Sequence, residues 1–327
     1  MSDTTTLPTS PDPFLDKAWG EIGRLGLTAH VAEIEAQGLT VIPPELACPD
    51  GLADRLLAAC LDAAERRNAE RPDIEMAARY APQSSDRFKK VLGSGDGDSP
   101  IGDLMQSMLF EDPAFEEALM NPVLLGVATY LCGYSAIMYT MGCFLKGPNN
   151  TTLPLHADTP GPTPLPGYAS ECNATYVLTD FDRNNGGTAF VPGSHKWCRK
   201  PSGNETQVID NPNAVAVEAK AGSLVCWHGN TWHGAFNRIA TGIRVSIPCV
   251  IARPHLRTQE HLIDKVDQAM LDRNSSRFAV LMQQGIALGW STQTEAISGA
   301  ERATKFQAAY VEELGLDPAK YPNSLFA

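Results

Sequence analysis

The chain has 327 residues, 43% of them hydrophobic, and 26 Lys and Arg set against 38 Asp and Glu give a formal net charge of −12. That is enough apolar material for one large packed domain or two small ones. The acidic balance argues against nucleic acid as a partner, because phosphate binding needs clustered Lys and Arg.

Met1 to Pro13 is polar and rich in Pro, Thr and Ser, so residues 1–13 are expected to be disordered and carry no secretory signal. No apolar run approaches the ~20 residues that span a bilayer. Eight cysteines without CxxC spacing fit reduced thiols, and the expected location is cytoplasmic, away from membranes. Phe14 to Gln37 reads as helix bent near Gly26, followed by a short strand at 38–42 closed by Pro43-Pro44. Asp50 is placed to cap a helix over Gly51 to Glu70, whose Leu52, Leu56, Leu57, Cys60 and Leu61 form one stripe. The Gly-rich acidic run 93–98 lacks the Lys-Ser/Thr ending of a phosphate loop and reads as a linker. Helices are expected at Asp103–Leu109, Pro113–Met120 and from Asn121 to about Leu131, stopped by Gly133.

After Gly133 the pattern changes to short β-rich segments: 136–145, 155–158, 173–181, 188–191, 214–218, 223–228, 233–237 and 244–251. About eight short strands without long helices between them suggest a sandwich or double-sheet jelly roll of cupin type, mainly β with helical additions at both ends. Asn184-Asn185-Gly186-Gly187 has the composition of a hairpin turn. Residues 14–257 are expected to form the main domain. From Thr258 the pattern is helical again (258–273, 276–284, 299–314), an extension of about 70 residues that packs on the core, covers the site or joins subunits into a homo-oligomer.

Within the β region, His156 and Asp158 are two residues apart, so on an extended strand both side chains leave one face. An imidazole and a carboxylate so placed supply two-thirds of the 2-His-1-carboxylate triad that binds iron(II) and leaves positions open. A second histidine must come from another strand, and local pattern leaves His228 and His233 as alternatives. His195, after the turn Pro192-Gly193-Ser194, suits a turn or channel position. Arg244 heads the apolar strand 245–251, where a charge is expensive unless paired. Its planar guanidinium suits a bidentate grip on a carboxylate cosubstrate. The competing assignment is a non-catalytic or zinc-bound cupin-like protein, which has no need of that arginine. The Pro-rich segment 160–166 is either one wall of a substrate mouth or a surface connector.

His156-x-Asp158, Arg183-Asn184-Asn185-Gly186-Gly187-Thr188, Val191-Pro192-Gly193-Ser194-His195, Ala221-Gly222-Ser223 leading to Trp227-His228 and Trp232-His233-Gly234, and Arg244 together resemble the phytanoyl-CoA dioxygenase family. The resemblance spans about Gly38 to Arg253. It implies a double-stranded β-helix and an iron(II)/2-oxoglutarate-dependent oxygenase, with O2 as cosubstrate and a small molecule as substrate. It implies that His156, Asp158 and His233 are the catalytic iron ligands and that Arg244 holds the C5 carboxylate of 2-oxoglutarate. It also carries Met138, Lys146 and Thr175 over to cosubstrate contacts. Relatives that halogenate lack the carboxylate ligand. Asp158 therefore favours hydroxylation or another C–H oxidation, with 2-oxoglutarate passing to succinate and CO2.

Overall fold

The computed structural model describes residues 12–80 and 98–321. Two helices, α1 (Pro13–Arg24) and α2 (Thr28–Gln37), meet at Gly26, whose positive φ of 71° permits the bend expected there. They lead to β1 (Leu39–Ile42), the short α3 (Pro44–Ala47) and α4 (Leu52–Asn68). Asp50 does not cap α4. It sits at φ 57°, Gly51 takes the cap position, and the Asp50 carbonyl accepts from Arg55 Nη1. Residues 103–109 are not a helix. They form β2 (Asp103–Met105), an edge strand, and then one 3-10 turn.

Next come α5 (Pro113–Leu119) and α6 (Pro122–Cys132), started by Asp112 and Asn121 side chains that accept from the first free N–H groups. The segment expected as one strand over 136–145 divides at Gly142 into β3 (Ile137–Met141) and β4 (Cys143–Lys146). Then follow β5 (Leu153–His156), β6 (Glu171–Val177), β7 (Thr188–Phe190), β8 (Val215–Ala216), β9 (Leu224–His228), β10 (His233–Ala235) and β11 (Arg244–Ala252). The chain ends in α7 (Gln268–Arg273), α8 (Ser276–Leu281) and α9 (Gln293–Glu313).

The strands form two antiparallel sheets. The larger runs β1-β9-β6-β11-β4-β2, with β3 also on β11, and the smaller runs β5-β10-β7-β8. This is the jelly-roll arrangement that the spacing of short strands suggested. Alternation then sorts the residues of the central strands. Glu171, Asn173 and Thr175 of β6 and Arg244, Ser246, Pro248 and Val250 of β11 face a cavity between the sheets. Cys172, Ala174, Tyr176, Val245, Ile247, Cys249 and Ile251 face the opposite way, into the core shared with α4, α5 and α6. The Asn184–Gly187 turn joins β6 of one sheet to β7 of the other, so it is an inter-sheet corner and not a hairpin.

The C-terminal helices pack on the body. Val280, Tyr310 and Val311 cluster with Tyr134 and with Phe14 of α1, and Arg277 donates to the Tyr134 carbonyl. Just before them, Glu260 accepts from Thr140 Oγ1 at 2.7 Å and Met141 N at 2.9 Å, which holds Gln259 at the cavity wall. Among the described residues no helix is long and apolar enough to cross a membrane.

Candidate active site

His156 ends β5 and His233 begins β10, and the two residues are register partners across an antiparallel pair. Their rings lie 4.3 Å apart between centroids. Asp158, two residues past His156, reaches both. Oδ1 is 3.4 Å from His156 Nε2 and Oδ2 is 3.2 Å from His233 Nε2. Among the described residues, these three are the group whose donor atoms all lie within 4.8 Å of one another.

Each histidine donates its Nδ1–H to a backbone carbonyl, His156 to Pro154 at 2.8 Å and His233 to Thr231 at 3.0 Å. Those bonds fix the tautomer and leave both Nε2 lone pairs aimed at the point the carboxylate also faces. Burial opposes charge on Asp158, but the two imidazoles outweigh it and hold the carboxyl well below its usual range. Burial likewise works against protonation of His156, and the Asp158 carboxylate reverses it and raises the imidazole. Two neutral nitrogens and one ionised oxygen on converging vectors are a fitting donor set for iron(II).

The cavity beside these ligands has a volume of about 360 Å³. Arg244 closes one end of it. Its side chain is buried, donates Nη1 to the Gly186 carbonyl and lies with Cζ 4.7 Å from the Phe181 ring centroid. Its Nε has no partner among the described residues, and neither has the buried Ser246 Oγ on the same face of β11. Burial, with the nearby Arg238 cation, pulls the guanidinium down to about 9. A buried cation with a free donor asks for an anion, and a carboxylate of 2-oxoglutarate fits it.

The Arg183–Thr188 motif explains itself here. Gly186 offers the carbonyl that Arg244 uses, and Asn185 Oδ1 accepts from Arg238 Nη1 at 2.9 Å. A Cβ on Gly186 would lie 2.9 Å from Arg238 Cβ, so the close approach requires glycine.

Thr175 lines the cavity. Lys146 is the register partner of Arg244 but turns its ammonium to the Phe236 carbonyl at 2.6 Å, outside the cavity wall. Burial first, then Arg244 and Arg238, hold its pKa well below the lysine range. Met138 is not a cavity residue. It is fully buried in the core and pairs with Ile251, while its neighbours Tyr139 and Thr140 line the cavity. None of residues 160–170 lines the cavity, and Leu165 is buried in a separate apolar cluster. Sequence reasoning missed Ser246, Glu171, Asn173, Tyr139 and Gln259. Ser246 was available from strand alternation with Arg244, and the others needed the register.

His228 is absent from the metal group. Its Nδ1 accepts from Asn230 N at 3.0 Å, and its ring stands 5.4 Å from His195, near a second hollow shared with Arg253. Burial first, then His195 and Arg253, lower its pKa from 6.5 to about 4. The fold therefore prefers neutral His228, so its contribution is intact above pH 6.5 and is lost as pH falls toward 4. Thermal unfolding across that window is expected to show wild type losing up to ~3 kcal/mol more than His228→Gln. His228→Gln is also expected to bind iron as wild type does, and complete loss of iron would make His228 a ligand.

The phytanoyl-CoA dioxygenase family model matches residues 34–246. An uncharacterised protein of Mycobacterium tuberculosis is 26% identical over 194 residues, which is 57% of this chain and 67% of that protein. The dioxygenase af480 of Aspergillus fumigatus is 25% identical over 175 residues, covering 52% of this chain and 55% of the relative, so the match spans about half of that enzyme. Among solved structures, HygX of Streptomyces hygroscopicus with iron bound superposes with a TM-score of 0.51 at 13% identity, over 76% of this chain and 94% of that one. That likeness bears on the fold alone. With the family model matching residues 34–246, well over half of the chain, and His156, Asp158, His233 and Arg244 lining one cavity, the chain belongs to the phytanoyl-CoA dioxygenase family of iron(II)/2-oxoglutarate-dependent dioxygenases.

Proposed function

We propose that the protein oxidises an unactivated C–H bond of a small organic metabolite, hydroxylation being the expected outcome, with conversion of 2-oxoglutarate to succinate and CO2. The observation that carries this is the buried Arg244 guanidinium, whose Nε has no partner among the described residues, in the cavity that His156, Asp158 and His233 also line. A metal store or a structural zinc site has no use for such a group.

Iron with 2-oxoglutarate supplies the oxidising power when bound. This chain's own residues supply the rest. His156, Asp158 and His233 would hold the metal beside the cavity they line. Arg244 and Ser246 would take the distal carboxylate of the cosubstrate and so orient it in the cavity. Phe181, Trp227, Leu104 and Phe144 make the wall apolar and limit water at the reacting carbon.

The test is anaerobic addition of iron(II) and then 2-oxoglutarate. A weak visible charge-transfer band is expected with wild type and is expected to vanish in Arg244→Ala. No band with wild type would sink the proposal.

A further inference from the structure

Glu171 differs from the other buried acids of the fold. Glu116 is satisfied by Arg273 Nε and Asn274 Nδ2, and Glu260 Oε1 accepts from Thr140 and the Met141 amide while its Oε2 has no partner among the described residues. Glu171 opens β6, is 2% exposed and lines the cavity. Yet among the described residues its carboxylate has neither an ion pair nor a hydrogen bond. Burial and the negative charge of Asp158 push it up to about 7, and the exposed Lys200 offsets only part of that. A carboxylate in such a place is costly to the fold unless something that enters the cavity pairs with it.

Position separates this acid from the cosubstrate end. The register partner of Glu171 is Ala252, the last residue of β11, whereas Arg244 is the first. At about 3.3 Å per residue the two lie roughly 25 Å apart along the strand, and it is Glu171 that sits within reach of the Asp158 charge. Around Glu171 the wall is polar. Asn173 Nδ2 is buried without a partner among the described residues, and the Tyr139 hydroxyl interacts with Gln259. Ile101, Leu104 and Val250, the last opposite Asn173, add apolar wall. One end of the cavity is thus furnished for a dianion and the other for a cation on a partly apolar body.

We infer that the substrate carries a basic nitrogen, protonated at neutral pH, which pairs with Glu171, making this residue the determinant of substrate charge. This rests on the oxygenase assignment of the site and narrows its substrate class. A neutral or anionic substrate would leave the Glu171 charge unpaired or face it with repulsion.

The experiment is isothermal titration calorimetry of the full chain loaded anaerobically with iron(II) and 2-oxoglutarate. The probes are cyclohexylammonium, cyclohexanol and cyclohexanecarboxylate, matched in shape and different in charge. Wild type is expected to bind the ammonium at least about tenfold tighter than the carboxylate, with the alcohol between. Glu171→Gln is expected to bring the three within about twofold of one another while the 2-oxoglutarate charge-transfer band is unchanged. Glu171→Asp, which keeps the charge, is expected to retain the preference and guards against a misfolded Gln variant. Equal binding by wild type, or a preference that survives in Glu171→Gln, would overturn the inference. So would a Gln variant that loses the band, since Glu171 would then serve the cosubstrate. A wild type that shows no band yet prefers the ammonium refutes the oxygenase assignment and upholds the Glu171 pairing.

Discussion

Asp158→Ala is expected to lower iron affinity by at least about 100-fold and to bring succinate formation to background. The carboxylate is the one anionic donor of the group, and both histidine Nε2 atoms lie within 3.4 Å of its oxygens. Losing even an outer partner of a metal ligand commonly costs 10- to about 100-fold in affinity, and losing the ligand itself costs more. The fold should survive the change. The Asp158 side chain is paired only with the two imidazoles, and its backbone N–H keeps its bond to the Gly229 carbonyl at 3.0 Å. Metal content by mass spectrometry and succinate by chromatography would read the two effects, with thermal unfolding as the control for folding. Turnover within a few-fold of wild type would remove Asp158 from the ligand set.

His156 and Asp158 could be proposed from the sequence because chemistry and periodicity coincide at them, whereas the choice of His233 over His228 came from the family resemblance. β5 stops at His156 and Asp158 lies two residues past it, yet the two side chains still converge with His233 on one point, as a two-residue spacing on extended backbone favours. Arg244 was legible for a different reason: a lone charge at the head of an apolar nine-residue strand has no cheap structural use. Met138 was not legible, because it depends on a register that no local pattern fixes. β3 meets β11 with an irregularity between Val250 and Ile251, which turns Tyr139 and Thr140 to the cavity and Met138 to the core. Residues 103–109 failed similarly. Three residues of edge strand hydrogen-bonded to β4 carry too little periodicity to outweigh a helical composition. Glu171 stayed hidden because an acid at the start of a strand looks like a solvated end until the opposing sheet is in place.

Arg244→Met is expected to act in two opposite directions, and that opposition is what makes it diagnostic. For the cosubstrate-free protein, methionine replaces a buried cation that has an unpartnered Nε and only the Gly186 carbonyl and the Phe181 face for company. Exchanging such a charge for an apolar side chain of similar length is neutral or stabilising by about 1–4 kcal/mol, so the unfolding temperature should hold or rise. For 2-oxoglutarate the same change removes the one cation that lines the cavity among the described residues, the proposed partner of its distal carboxylate. Truncating one partner of a buried charge pair costs about 2–5 kcal/mol, which corresponds to roughly 30- to 5,000-fold in affinity. Arg244→Lys should fall between, since an ammonium is a point charge and cannot meet both carboxylate oxygens as the planar fork does. Differential scanning calorimetry and the KM for 2-oxoglutarate would be measured side by side. If Arg244→Met unfolds at a much lower temperature while its KM stays within about threefold of wild type, the guanidinium is a structural prop for the Gly186 corner and the cosubstrate binds elsewhere.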